Sequence, residues 1–429
     1  MSAVPVSTPR TSMASSIAIV GVLFFILGFF TWLNGPLITF VQLAFQVTEI
    51  SAFLVLMVFY LSYFFLAIPA SWILRRTGMK KGLALSLAVM AIGAAAFGQF
   101  ATWRIFPGAL ASLFVLGGGM ALLQTSVNPY ISILGPIETA ARRIALMGIC
   151  NKIAGILAPL LLGSLVLHGV GDLAAEVAKA DPVTREALLS GFAGGIRGFY
   201  LVMFGILVVA AVAVLMSPLP EISAESANSA PGAASDDRKS IFQFPHLWLG
   251  VICLFLYVGV EVMAGDAIGT YGHAFGLPLD QTKFFTSFTL FAMLVGYVIG
   301  LLLIPRFISQ EKYLAVSAVL GVVFTLGAFF TKGYVSVGFV AALGFANAMM
   351  WPAIFPLAIR GLGRFTQTGS ALLVMGIAGG AIVPQAFALF KHAYPEHFQL
   401  GFAALMVPCY LYILYFGTVG HNAGKARGA

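Results

Sequence analysis

From Ile17 to Phe45 the chain reads IAIVGVLFFILGFFTWLNGPLITFVQLAF, with no charged side chain anywhere in it. The oily core of a bilayer is about 30 Å thick, and about 20 apolar residues of helix cross it. This run is long enough to do so. A cleaved export signal has a shorter apolar core and a small-residue cleavage site. Here a second apolar run follows within a few residues, so the first is expected to remain as a membrane-spanning helix. Inside it, Thr31-Trp-Leu-Asn-Gly-Pro36 interrupts the pattern. Pro36 has no N–H to give the Trp32 carbonyl. A carbonyl freed at membrane depth is tolerated only where protein or a wet cavity satisfies it. Asn34 and Gly35 beside the break therefore predict a broken helix lining such a cavity, with a plain kink as the alternative.

The rest of the chain follows suit. Of its 429 residues 60% are hydrophobic and 9% charged, against about 25% charged in a soluble protein. So few charges cannot coat a water-soluble body, whereas they suffice for the loops of a protein belted by lipid. Apolar runs fall at 16–45, 50–74, 81–103, 106–134, 143–169 and 196–217, then at 245–273, 283–305, 312–331, 334–358, 367–391 and 398–419. The reading is an all-α membrane protein: a tail 1–15, a six-helix bundle 16–217, a linker 218–243, a second six-helix bundle 244–419 and a tail 420–429. The linker is small and polar around Ser223–Ser235 and reads as flexible. The outer loop at 170–195 has room for a short surface helix.

The formal charge of +8 sits mostly at helix ends and speaks for membrane orientation rather than for a nucleic-acid partner. Fifteen lysines and arginines fall on the side that holds both termini and seven on the other, which predicts cytoplasmic termini. Cys150, Cys253 and Cys409 are widely spaced inside apolar runs and suggest neither a disulfide framework nor a metal site. The six histidines show no ligand spacing, and no phosphate-cradling glycine loop is followed by a lysine, so no cofactor, no metal and no hydrolytic chemistry are expected.

The halves look related. Leu23-Phe-Phe-Ile-Leu-Gly28 resembles Leu254-Phe-Leu-Tyr-Val-Gly259, displaced by 231, and Met147-Gly-Ile149 recurs as Met375-Gly-Ile377, displaced by 228. The first helix then matches the seventh, and the fifth matches the eleventh. Parallel six-helix repeats that hold a solute between them are the plan of major-facilitator transporters.

A charge inside a span is costly and marks function by default. Lys152, Glu261 and Asp266 are such charges. Lys152 either pairs with a buried acid or reaches for water. Glu261 and Asp266 lie about 140° apart round one helix, so one is expected to meet Lys152 while the other faces solute or proton. Uncharged candidates are Asn34, Gln124, Asn128, Asn151 and Asn347, whose amides offer both donors and acceptors to hydroxyls. Trp351 and Trp32 offer flat faces to a sugar ring. Gly148 and Gly155 share a helix face with Asn151 and let a sugar or a neighbouring helix come close. Gly117-Gly-Gly119 predicts close helix packing.

Phe29-Phe-Thr-Trp-Leu-Asn-Gly-Pro-Leu37, Gln124-Thr-Ser-Val-Asn-Pro-Tyr130, Leu134-Gly-Pro-Ile-Glu138 and Met147-Gly-Ile-Cys-Asn-Lys152 resemble the fucose-permease branch of the major facilitator superfamily. Within it the likeness is to glucose/galactose and N-acetylglucosamine permeases, across nearly the whole chain. The resemblance implies a twelve-helix transporter of a bacterial inner membrane that takes up a small sugar with a coupling proton, with contacts from Asn34, Gln124 and Asn151. Sodium coupling or uncoupled diffusion, drug export and membrane sugar sensing are the rivals. Two positions depart from the branch. Gly35 stands where an aspartate is usual, and Gln124 where a glutamate is. The repeat places Gly35 opposite Asp266, so the acid absent from the first helix is expected to be supplied by Asp266 or Glu261, biased by Lys152.

Overall fold

The computed structural model describes residues 13–133, 140–219, 240–304 and 306–424. Most of the expected linker, the outer parts of both tails and the motif Leu134–Glu138 lie outside them. Among the described residues there is no strand, and twelve helices are long and apolar enough to cross a membrane. We number them spans 1 to 12: Ser15–Ala44, Glu49–Thr77, Met79–Thr102, Phe106–Asn128, Arg143–Leu165, Pro182–Met216, Pro245–Gly265, Leu279–Leu303, Gln310–Phe330, Gly333–Ile359, Thr368–Ala393 and Pro395–Thr418.

Span 1 is broken where the proline predicted. One helix ends at Trp32 and the next begins at Asn34. Two side chains cap carbonyls beside the break: Thr31 Oγ1 donates to the Leu27 carbonyl at 2.8 Å, and Asn34 Nδ2 to the Thr31 carbonyl at 3.0 Å. Span 6 starts fourteen residues earlier than its apolar run, at Pro182 instead of 196. The cause is local. Asp181 accepts hydrogen bonds from the Val183 and Thr184 amides at 3.0 and 3.2 Å, and Pro182 occupies the first helical position, where its missing N–H costs nothing. The surface helix expected in this loop covers Val170–Lys179. Span 7 stops at Gly265, and a separate short helix, Ile268–His273, completes the apolar run.

The repeat is visible in the packing. Gly28 of span 1 lies against the backbone of Asn151 in span 5, while Gly259 of span 7 lies against the Gly379 carbonyl of span 11. The two offsets read from the sequence carry Gly28 to Gly259 and Asn151 to Gly379, so equivalent helix pairs meet through equivalent residues. A side chain at either glycine would hold the helices apart. Gly117 and Gly119 act similarly, seating span 4 on the Phe59 carbonyl of span 2 and the Ser86 carbonyl of span 3.

The two sets of six spans meet where span 5 runs along span 8 and span 2 along span 11. These two seams exchange under the repeat. Polar links between the sets gather at the end remote from the termini. Lys391 Nζ contacts both oxygens of Glu49 at 2.8 and 2.9 Å and the Thr270 carbonyl at 3.2 Å. Gln385 donates to the Ile50 carbonyl at 3.3 Å. Asp280 accepts from the Gly171 amide at 3.0 Å, and Lys283 donates to the Leu167 carbonyl at 2.7 Å. Spans 1 to 6 and 7 to 12 are thus clamped together at that end. Val202, Val209, Val212 and Leu215 of span 6 are exposed, as a lipid-facing belt requires.

Candidate functional site

A cavity of about 110 Å³ opens between the two halves. At the 10–15 Å³ that each water needs, it has room for roughly seven to eleven waters, a space of monosaccharide scale. Its wall draws on both halves. Gln124, Asn128, Asn151, Lys152 and Trp32 come from the first, and Glu261 and Trp351 from the second. With Gly148, eight of the residues singled out in the sequence therefore share one chamber.

Lys152 and Glu261 meet across it. The ammonium lies 3.1 Å from Glu261 Oε1, with side-chain exposures of 7% and 12%. Of the two acids of span 7, Glu261 is the one that Lys152 meets. The ammonium also lies 4.6 Å from the centre of the Trp32 ring and 6.0 Å from that of Tyr297. Asn151 reaches back to the Phe24 carbonyl at 3.5 Å while still lining the cavity. Trp351 stacks on Phe355, with ring centres 5.9 Å apart and planes at 19°, which leaves its other face for a solute.

Three expected residues sit behind the wall. Asn34 is 2% exposed and spends its amide on the break in span 1. Asn347 is fully buried and its Oδ1 accepts from the Tyr410 hydroxyl at 2.9 Å. Asp266 is 1% exposed, and its Oδ2 accepts from the Tyr60 hydroxyl at 3.1 Å. Tyr60 itself lines the cavity, so Asp266 is one hydroxyl away from it. A side chain on Gly35 would begin 3.2 Å from Asp266 Oδ1 and 2.5 Å from Thr286 Oγ1. The repeat pairs Gly35 with Asp266, and the fold puts them in contact.

The wall also holds residues that the sequence reading passed over: Tyr60, Tyr63, Tyr257 and Tyr297. One of them left a signal. Tyr257 precedes Glu261 by four residues and so shares its helix face. Phenolic hydroxyls add donors and acceptors, and the rings add flat apolar faces. Among the described residues no group of three or more histidines, cysteines or acids is placed to hold a metal ion.

An amide-rich chamber at the seam of two pseudo-equivalent bundles, flanked by an ion pair between them, is suited to hold a neutral polyhydroxylated solute and to move it by relative motion of the halves. Comparison with known proteins agrees. The chain is 32% identical over 405 residues to the glucose/galactose transporter of Brucella abortus, covering 94% of this chain and 93% of that one. It is 27% identical over 377 residues to the L-fucose-proton symporter of Escherichia coli, covering 85% of this chain and 85% of that one. The crystal structure of the Escherichia coli fucose:proton symporter superimposes with a TM-score of 0.75 at 24% identity, covering 95% of this chain and 99% of that one, a likeness of fold. Residues 20–384 match the Major Facilitator Superfamily as a whole, and to that family the chain belongs.

Proposed function

We propose that this protein is a secondary active transporter that imports a small sugar, glucose/galactose or N-acetylglucosamine, across a bacterial inner membrane in symport with a proton. The observation that carries the reading is the chamber itself, in which Gln124, Asn128 and Asn151 stand beside Trp351 and the Lys152–Glu261 pair. The amides match sugar hydroxyls, and the tryptophan matches the apolar face of the ring. The relatives support it: one is a glucose/galactose transporter, the other an L-fucose-proton symporter.

The bias of positive charge toward the side of the termini supports cytoplasmic termini. With that orientation the contacts around Lys391 tie the two halves together at the outer end of the chamber. A proton entering a negative cell contributes about 2.3 kcal/mol per 100 mV, enough for roughly fifty-fold accumulation of sugar before any pH gradient.

Asp266 and Glu261 are the coupling acids in this reading. Asp266 occupies the place next to span 1 that a side chain on Gly35 would otherwise fill, and Tyr60 connects it to the chamber. Glu261 is held by Lys152. Neutralising either carboxyl weakens a polar bond between the halves. Sugar-driven acidification of proteoliposomes, with a panel of competing sugars and with potassium in place of sodium, tests the whole reading. Asp266→Asn or Glu261→Gln is expected to abolish acidification. Acidification that persists in both variants at the wild-type rate removes these acids from the mechanism, and uptake that depends on sodium replaces the proton.

A further inference from the structure

Lys152 is unusually housed. It is 5% exposed, yet its ammonium has three N–H donors and, among the described residues, one hydrogen-bond acceptor, Glu261 Oε1. A buried ammonium needs more than that, and two aromatic faces stand beside it, Trp32 from span 1 and Tyr297 from span 8. The negative face of an aromatic ring attracts a cation, more strongly once water is excluded.

Both rings reach this position through gaps in span 5. Gly148 lies one turn before Lys152 and Gly155 one turn after it, and all three fall within about 60° of one helix face. A methyl group on Gly148 would lie 2.5 Å from Tyr297 Cε1, and one on Gly155 would lie 2.5 Å from Trp32 Cδ1. Gly265 of span 7 opens a third gap, against the far edge of the Trp32 ring. The glycines that flank Lys152 are therefore notches that admit one ring each. They are not simply a smooth face for solute.

We propose that Gly148 and Gly155, with Tyr297 and Trp32, form an aromatic cage that holds the Lys152 ammonium on Glu261 while the adjoining chamber fills with water or sugar. Trp32 and Tyr297 are then positioning residues for an ion pair that joins the two halves. Without a ring, water from the chamber solvates the ammonium and the pair loosens. The inference rests on the transport reading only for its consequence, because the cage itself is a matter of how Lys152 is held.

The test is a double-mutant cycle between ring and charge. Trp32→Leu removes the ring, Trp32→Phe keeps one, and each is made in the native protein and in a Lys152→Met/Glu261→Gln background. Two quantities are read: sugar exchange at equilibrium in proteoliposomes, and the thermal midpoint of the purified protein, which needs no sugar. In the native background Trp32→Leu is expected to slow exchange about ten-fold, within the range of a cation–π contact between exposed and fully desolvated, with Trp32→Phe recovering to within about three-fold. In the charge-free background Trp32→Leu is expected to change the midpoint by less than half of its effect in the native protein. Gly155→Ala, which pushes the ring out of its notch, is expected to reproduce Trp32→Leu. If Trp32→Leu costs as much stability without the ion pair as with it, the ring acts by packing alone and the cage is refuted. Trp32→Phe as damaging as Trp32→Leu refutes it as well. A midpoint cycle that holds while the native protein exchanges no sugar leaves the cage standing and overturns the transport reading.

Discussion

Replacing Lys391 by methionine removes the centre of the clamp at the end remote from the termini. The ammonium touches both oxygens of Glu49, at 2.8 and 2.9 Å, and the Thr270 carbonyl at 3.2 Å. A fully exposed pair of this kind is worth about 0–1 kcal/mol, whereas breaking a fully buried one costs about 3–5 kcal/mol. Here the side chains are 12% and 27% exposed, and two contacts to one carboxylate fix the geometry. A value of about 2 kcal/mol follows, between the two limits. Because Glu49 belongs to the first half and Lys391 to the second, that energy bears on the separation of the halves. At 1.4 kcal/mol per factor of ten, Lys391→Met is expected to raise the population open at this end about 30-fold. The assay is alkylation of a single cysteine at Thr31, on the chamber wall, in a chain whose three native cysteines are replaced. A membrane-impermeant maleimide supplied from the side opposite the termini reaches it only when the clamp opens, so its rate reports that population. Glu49→Gln is expected to match Lys391→Met, and the double variant to add little to either. An alkylation rate within two-fold of the parent, or effects of the two substitutions that multiply, would refute the reasoning.

Gly28→Ala is expected to destabilise the protein by about 1–3 kcal/mol, because the added methyl collides with the Asn151 backbone and an overfilled interface must shift. Gly198→Ala, in span 6 with nothing within 4 Å of the new methyl, is expected to be neutral or to stabilise by about 0.5–1 kcal/mol. Thermal unfolding of the two purified variants checks the contrast. Tyr60→Phe, which removes the hydroxyl donating to Asp266, is expected to slow sugar-coupled proton uptake about ten-fold while leaving the fold intact, and comparison of coupled uptake with equilibrium exchange separates these effects. Asn151→Ala is expected to raise the KM for sugar about ten-fold, the loss of one or two neutral hydrogen bonds of about 0.5–1.5 kcal/mol each, as measured by initial rates of radiolabelled uptake.

The number of spans, the break at Pro36 and the meeting of Lys152 with a helix acid were legible because each follows from a local rule: apolar length, a missing N–H, the cost of a lone charge. The start of span 6 was legible too, in Asp181 and Pro182, but an apolar window does not register a capped polar turn. Tyr60 and Tyr297 were not. Tyr60 reaches Asp266 and Tyr297 reaches Lys152 across spans distant in sequence, and which azimuth of one helix faces another depends on tilts that no spacing encodes. The same limit explains Asn34 and Asn347. Both are buried polar residues, as expected, yet one is used on its own helix break and the other on Tyr410. Hydrophobicity identifies the inside of the protein without separating its chamber from its packing.

The polar contacts of this protein divide by whether they cross between halves, and that division says where a cycle must act. Within the first half, Arg104 bonds the Ala44 carbonyl and Lys80 the Ser217 carbonyl, each at 2.7 Å. Within the second, Gln399 holds the Ala328 and Thr331 carbonyls, and Thr289 holds that of Ala264. Rocking two rigid bundles leaves all of these untouched. The contacts of Glu49, Asp280, Lys283, Lys152 and Tyr60 instead join one half to the other, so motion must break or slide them. Two of these crossing contacts end on the carboxyls placed nearest the chamber. A proton added to Glu261 or Asp266 therefore weakens the attachment between the halves and disturbs the interior of neither. A ligand shifts a conformational balance only by its difference in affinity for the two states, and a proton taken up at such a contact has that difference built in.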